Sequence, residues 1–200
     1  MNSSANSDEV VVREETIIPG NITSEDIIIR PATAADIPYA EEIAAEMESS
    51  AKARGTGIAK RSPSSIAEKI RQGKAVIALT ASGIWAGFSY LDTWEQDKFI
   101  SNSGLIVAPA FRIRGIAATI KQKIFQLSRS LYPTAKIFSI TTGLAVMKLN
   151  TRLGFEPVTY AEITHDPAFW EGCKSCVNYP ILCAKGKQNC LCTALLFEPS

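Results

Sequence analysis

The sequence predicts an α/β fold, one mixed central sheet with helices on both of its faces. Three observations carry that prediction. Strand-like and helix-spaced segments follow one another in the order β-α-α-β-β-β-α-β-α-β-β, which a single covered sheet accommodates. Between Phe99 and Ser130 a strand, a tight turn and an amphipathic helix come in direct succession. The length of 200 residues, with 46% hydrophobic and 20% charged side chains, suits one domain with a real core. A net charge of +1 leaves no basic footprint for nucleic acid and no acidic tail. The polar N-terminus lacks the apolar run of a signal peptide, and no stretch approaches the ~18 apolar residues of a membrane span. A cytoplasmic location with no membrane partner is therefore the expectation.

Residues 1–26, rich in Ser, Asn, Asp and Glu, read as a tail that lends one short edge strand at most, from Val10–Val12 or Ile17–Ile18. The domain proper is expected over 27–200. It opens with a buried strand at Ile27–Ile29, and Thr33 or Asp36 can cap a helix over about 36–53, with Ile37, Ala40, Ile43, Ala44 and Met47 on one face. A loop carrying Arg54, Gly55, Gly57, Lys60 and Arg61 leads to a second helix, opened by Ser62, Ser64 or Ser65 and ended by Gln72-Gly73. Strands at 74–80 and 84–93 flank a turn at 81–83. Phe99–Val107 is the next strand, and Pro109, which cannot donate a ladder hydrogen bond, ends it. Ile116, Ile120, Ile124 and Leu127 then recur at helical spacing, with Lys121, Lys123 and Gln126 between them. A strand at 136–142, a helix at 144–153, a strand at 155–163, a Cys-rich insertion over 165–189 and a last strand at 191–198 complete the chain.

The turn before the helix at Ile116 is suited to a phosphate group. A helix N-terminus exposes unpaired N–H groups and the positive end of its dipole. Gly115 and Ala117 leave room for a ligand to approach that backbone, and Arg112 and Arg114 add charge. Neither the Gly-x-x-x-x-Gly-Lys-Ser/Thr loop nor a Gly-x-Gly-x-x-Gly loop after a strand occurs. What does occur, Arg112-x-x-Gly115-x-Ala117 preceded by Val107-x-Pro109, resembles the pyrophosphate signature of the GNAT superfamily of N-acetyltransferases, written Gln/Arg-x-x-Gly-x-Gly/Ala. The opening Arg30-Pro-Ala-Thr33-x-x-Asp36 and the helix ending in Leu153-Gly154-Phe155 resemble other parts of that family. The resemblance spans about residues 26–163 and the last strand, and it implies acyl transfer from acetyl- or succinyl-coenzyme A to an amine.

By that resemblance, Ile106 and Val107 offer backbone groups to the donor's pantetheine arm, and Arg112, Ile113, Arg114, Gly115, Ile116 and Ala117 hold its pyrophosphate. Such a transfer also needs a deprotonated amine and an acid for the leaving thiolate. The family often places a Glu six positions before the Val of Val-x-Pro; here that position is Ser101, followed by Asn102 and Ser103. It often places a Tyr four before the Gly of Gly-Phe; here that position is Asn150. A water held by Ser101, Asn102 or Ser103 is the expected proton acceptor, with Asn150 hydrogen-bonding coenzyme A. Glu95, Tyr90 and Tyr160 are spare candidates.

Arg54, Lys60 and Arg61 offer a cationic cluster for a carboxylate, which Arg grips in a bidentate fork. A small acidic amino acid follows as acceptor, with glutamate foremost. Lys60-Arg-Ser-Pro63, Ser103-Gly-Leu-Ile-Val107 and the cysteine-bearing end also resemble a GNAT branch linked to N-acylglutamate synthesis for arginine. The resemblance further allows a homodimer. A protein N-terminal or lysine acetyltransferase, or a non-catalytic acyl-coenzyme A-binding module, are the alternatives. All five cysteines lie after residue 172. Cys173-x-x-Cys176 and Cys190-x-Cys192 have a spacing that suits a structural tetrathiolate zinc site, which would pin an insertion short of apolar residues; buried thiols or a redox pair are the alternatives. His165 is an outside candidate ligand.

Overall fold

The structure, a computed structural model, describes residues 16–18, 26–54, 60–112 and 115–199. Eight strands, β1 (Thr16–Ile18), β2 (Ile27–Pro31), β3 (Ala75–Thr80), β4 (Trp85–Trp94), β5 (Phe99–Val107), β6 (Lys136–Thr141), β7 (Glu156–Val158) and β8 (Thr193–Phe197), form one sheet. Its order is β1-β2-β3-β4-β5-β6-β8-β7. Neighbours are antiparallel except β5 and β6, which run parallel. A parallel pair needs a long crossover, here the stretch containing α3 (Ile116–Leu131). The mixed sheet read from the sequence is thus present, and the edge strand expected at Ile17–Ile18 pairs with β2.

The helices α1 (Ala40–Arg54) and α2 (Pro63–Arg71) pack together, while α3 lies along β2 to β5 with α4 (Leu144–Arg152) beside it. Two glycines mark how close the layers come. A Cβ at Gly87 would meet Ile120 of α3 at 2.6 Å, and one at Gly104 would run into the Tyr90 ring and meet Met47 of α1 at 2.9 Å. Between the layers Ile27, Ile29, Ile43, Ile66, Ile70, Ile77, Phe88 and Ile100 are buried.

Two expected elements differ in form. The first helix begins as a 3-10 turn over Ala34–Tyr39, because Pro38 lacks the N–H that an α-helical turn requires. That turn is anchored by Asp36, whose carboxylate accepts from Arg30 Nη1 at 2.7 Å and Thr33 N at 2.7 Å. The strand expected over 155–163 stops at Val158, where Thr159 and Glu162 form a capping box around a 3-10 turn at Tyr160–Glu162.

The segment between β7 and β8 carries α5 (Pro167–Glu171) and α6 (Tyr179–Ala184) and has its own apolar centre. Phe138, Tyr160, Ile163, Leu182, Ala194 and Leu196 are buried there, with Trp94, Phe99, Phe169, Trp170 and Tyr179 packed against them. Phe169 is the hub: its ring lies edge-on to Trp94, Phe138 and Trp170 at 5.3, 5.0 and 5.0 Å. The expectation that this segment lacks apolar anchors is corrected by that cluster, whose partners come from β4 and β6, remote in sequence.

Candidate active site

The parallel pair is short. Its ladder runs from Phe99/Lys136 to Ser101/Phe138, although β5 continues to Val107 and β6 to Thr141. After Ser101 the two strands part, and the β6-facing edge of β5 has no strand partner. Backbone groups on such an edge still require hydrogen bonds, and an extended, amide-bearing segment is the chemistry that can supply them. Ile106 and Val107 lie along this stretch, Ile106 buried and Val107 partly exposed.

Beside the cleft opens the N-terminus of α3. Gly115 caps it with φ of +76°, a left-handed conformation that suits glycine, and nothing lies within 4 Å of where its Cβ would be. Among the described residues no side chain caps the helix and its first turn holds no acid, so its dipole end keeps its positive character there. Ile116 is buried in the core and Ala117 is half-buried, leaving main chain as what the mouth presents. Ile113 and Arg114 lie outside the described residues. Arg112, assigned to the diphosphate from the sequence, is committed elsewhere. Its Nη2 donates to Glu46 Oε1 at 2.9 Å and Ser50 Oγ at 2.7 Å, and its Nε to the Val107 carbonyl at 3.2 Å. It ties the loop to α1, because Glu46 supplies an opposite charge at that distance.

Asn150, on the helix expected to face the donor, is fully buried, and neither Oδ1 nor Nδ2 has a hydrogen-bond partner. A buried amide left unsatisfied on both atoms is costly and points to a ligand. The open strand edge, the bare helix mouth and the Asn150 amide each offer groups that fit the amides and phosphates of coenzyme A.

The three polar residues at the start of the cleft do not act together. Along a strand, neighbouring side chains face opposite ways. Ser101 Oγ accepts from Trp94 Nε1 at 2.9 Å, and Ser103 Oγ lies 3.5 Å from it. Asn102 turns to α3, where its Nδ2 donates to Ser128 Oγ at 2.8 Å and its Oδ1 accepts from Lys121 Nζ at 3.2 Å. Asn102 is therefore removed from the group that would hold a water for the acceptor amine. Ser103, the partly exposed member, faces Tyr90.

Tyr90 was a spare candidate in the sequence; the structure gives it a definite neighbour. Arg61 Nε donates to its hydroxyl, and Arg61 Cζ stands 5.9 Å from the ring centroid. Burial pushes the Tyr90 hydroxyl above its ordinary value, against the pull of Arg61. Lys60 lies one residue away, its N–H donating to Ser175 Oγ at 2.9 Å and its Nζ 3.5 Å from Glu48. The side chain of Arg54 lies outside the described residues. Glu95 serves structure, its Oε1 accepting from Thr164 Oγ1 at 2.8 Å and His165 N at 2.7 Å.

The cysteines come near one another without forming a metal centre. Cys173, Cys176, Cys190 and Cys192 all line a cavity of about 40 Å³ with Tyr160, Trp170 and Leu182. Yet among the described residues no group of three or more His, Cys, Asp or Glu side chains is placed to hold a metal ion. Cys190 Sγ is instead engaged by the Tyr160 hydroxyl at 2.9 Å and by Cys192 N at 3.3 Å. Burial and the neighbouring thiols push the Cys173 thiol up to about 11 and Cys192 up to about 12. The tetrathiolate zinc expectation thus finds no support among the described residues, and His165 Nε2 lies 3.1 Å from the Ala161 carbonyl.

The sequence reading also missed Lys121. It is 2% exposed, and burial drops its ammonium to about 7. Its place beside Ile120 and three residues before Ile124 was the available signal, since both flank the buried stripe.

The shape of the chain has clear relatives. N-acetylglutamate synthase from Neisseria gonorrhoeae, solved with coenzyme A and N-acetyl-glutamate, superposes with a TM-score of 0.61 at 18% identity, over 87% of this chain and 35% of that one. A Mycobacterium tuberculosis protein in complex with CoA gives 0.58 at 17% identity, over 85% of this chain and 98% of that one. A GNAT family acetyltransferase from Listeria monocytogenes gives 0.59 at 11% identity, over 92% of this chain and 99% of that one. The chain has the GNAT fold. It spans about a third of the Neisseria synthase and nearly all of the other two. No protein-family model matches the sequence, and no curated protein matches it. Among the described residues no helix is long and apolar enough to cross a membrane.

Proposed function

We infer that this chain is an acyl-coenzyme A-dependent N-acyltransferase whose acceptor is the amino group of a small acidic amino acid, with glutamate foremost and acetyl or succinyl as the acyl group. The observation that carries the reading is the parting of β5 from β6 beside the uncapped mouth of α3. The unpaired β5 edge would hydrogen-bond the pantetheine arm, and the backbone of Gly115 to Ala117 would take the diphosphate. Asn150 would satisfy its buried amide on the donor near the reacting end. Holding donor and acceptor in line supplies much of the rate by orientation alone.

On the acceptor side, Arg61 is steadied by the Tyr90 hydroxyl, which Ser103 also meets. A guanidinium held that way grips a carboxylate with little loss of freedom. Ser103 can then hold the water that takes the proton of the acceptor amine. The likeness to a synthase whose structure contains N-acetyl-glutamate supports glutamate as acceptor, at 18% identity. A place in arginine synthesis would follow from that acceptor.

The test is thiol release from acetyl- and succinyl-coenzyme A against a panel of amino acids. Glutamate or a near analogue should give the highest kcat/KM, and Arg61→Ala should raise acceptor KM roughly tenfold, the weight of one charge-assisted pair. Equal effects of Arg61→Ala on donor and acceptor would remove Arg61 from the acceptor site. The absence of an acidic side chain at Ser101 favours one competing reading, a non-catalytic acyl-coenzyme A-binding module. Tight donor binding without turnover on any acceptor would establish it.

A further inference from the structure

Lys121 is a buried proton-bearing group on α3. The buried apolar positions of that helix are Ile116, Ile120, Ile124 and Leu127, with Lys123 and Ser128 also buried, and a leucine at 121 would fill the same space without desolvating an amine. Its Nζ makes one hydrogen bond, to Asn102 Oδ1 at 3.2 Å, and stands 4.9 Å from the centroid of the Phe155 ring. An ammonium has three protons to donate. Asn102 is held in turn by Ser128 at 2.8 Å, and Ser128 by the Ile124 carbonyl at 2.7 Å, so the amine rests on a fixed support.

The location gives the amine a purpose. Asn102 is the first residue after the last β5–β6 pair, Ser101/Phe138, so Nζ stands at the apex where the strands part. Phe155, on its other side, donates its N–H to the Asn150 carbonyl at 3.1 Å. Phe155 thus connects the two residues, its ring to the Lys121 amine and its N–H to the Asn150 main chain. The Asn150 amide lacks partners among the described residues, and the Lys121 ammonium has donors left over, so both can serve a polar ligand atom.

We propose that Lys121 is the acid that protonates the coenzyme A thiolate as it leaves, with Asn102 positioning the amine and Asn150 holding the sulfur. The inference rests on the acyl-transfer reading above. In that step the bond between acyl carbon and acceptor nitrogen is in place and the carbon–sulfur bond breaks, its electron pair staying on sulfur. Sulfur takes one proton from the Lys121 ammonium and leaves a neutral amine. The proton that the acceptor nitrogen gave up reaches water, and water returns one to Lys121 after the products depart. No oxidant or metal is involved.

The surroundings suit an acid that works near neutrality. Burial alone holds Lys121 near 7, and no neighbouring charge contributes. Of the titratable groups on the strands beneath α3, Arg30 pairs with Asp36, Tyr90 with Arg61 and Asp92 with Lys69. The groups in contact with the amine are Asn102 from β5 and Phe155, which follows α4, with Ser128 behind Asn102; the other buried cation of α3 is Lys123.

The experiment compares wild type, Lys121→Met and Lys121→Gln in kcat against pH and in coenzyme A affinity by calorimetry, using the best acceptor from the panel. Wild-type kcat should fall at high pH as the acid loses its proton. Lys121→Met should lose about 10²-fold in kcat, lack that falling limb, and bind coenzyme A within about twofold of wild type. Lys121→Gln keeps a donor for Asn102 but has no proton to give, so it should fail to restore kcat; it also carries the test if the Met variant does not fold. Either variant retaining kcat within about threefold, or keeping the same falling limb, would overturn the role of Lys121. If wild type itself releases no thiol with any acceptor, the acyl-transfer reading falls and takes this one with it.

Discussion

The two faces of β5 treat their polar groups in opposite ways. Toward α3, Asn102 meets a lysine and a serine in a closed setting with no opposing charge, and the lysine is held near neutrality. Toward α1 and α2, Arg61 rests on the Tyr90 hydroxyl near the surface, with Lys60 and Glu48 close by. One face thus holds a proton that can be given up, the other a permanent charge that can grip an anion. For a transfer reaction this is a useful division: proton traffic at the buried end, recognition at the open end. It follows from strand geometry, since adjacent residues on β5 cannot face the same layer.

The aromatic cluster that backs the recognition face should give the largest effect. Phe169 supports Trp94, which in turn donates to Ser101. Phe169→Ala should cost about 3 kcal/mol in urea unfolding, the low end for a large aromatic because the ring is only partly buried. A loss under about 1 kcal/mol would mean that the segment between β7 and β8 is pinned by something else.

The buried face should respond with the opposite sign. Lys121 has a folded value near 7 against an ordinary 10.5, so between those two values the unfolded chain binds a proton that the folded chain does not. Wild-type stability should therefore rise from pH 7 toward 10.5, and below 7 the full penalty applies. That penalty is on the order of 4 kcal/mol, and Lys121→Met relieves it while leaving Asn102 Oδ1 unsatisfied at about 1–3 kcal/mol. A net gain of about 2 kcal/mol at neutral pH, shrinking as pH rises, should appear in melts taken across that range. A variant that is less stable at every pH would show that the amine is there to hold the fold.

What the sequence made legible was carried mostly by the backbone. Pro109 ending a strand and Gly115 opening a helix act locally, so the helix mouth and the sheet's mixed character could be read before any contact was known, while the parting of β5 from β6 could not. Pro38 was equally visible, and it explains why the first helix starts late. The opposed directions of Asn102 and Ser103 were implied by the two-residue period of a strand, yet residue type alone grouped them. Lys121 was harder, because a helix position beside the apolar stripe is buried or not according to what α4 covers. The cysteine spacing was plain, but the cluster that holds them depends on Phe138 and Trp94, far off in sequence. Paired cysteines suggest a metal only when nothing else supplies the packing.

A smaller effect should separate recognition from chemistry on the open face. Tyr90→Phe keeps the ring beneath Arg61 and removes the hydroxyl that accepts from its Nε. The acceptor KM should rise about fivefold, near 1 kcal/mol, with donor affinity unchanged, as befits one hydrogen bond that positions Arg61 without touching the acceptor. An equal fall in kcat at unchanged KM would instead bring Tyr90 into the proton path and blur the division between the faces.

The smallest effect should come from the thiols. Cys190→Ser leaves an oxygen where Tyr160 and the Cys192 N–H can still find a partner, so stability should change by less than about 1 kcal/mol. A chelator should leave the melting temperature of the wild type where it was. A structural zinc ligand behaves otherwise: its loss removes much of the folding energy of the segment it clips, several kcal/mol. Since Ser175 of that segment holds the Lys60 N–H at 2.9 Å, such a loss would also reach Arg61 and raise the acceptor KM. Cys190→Ser with unfolding midpoint and acceptor KM both unmoved would leave the aromatic cluster as the support of the recognition face.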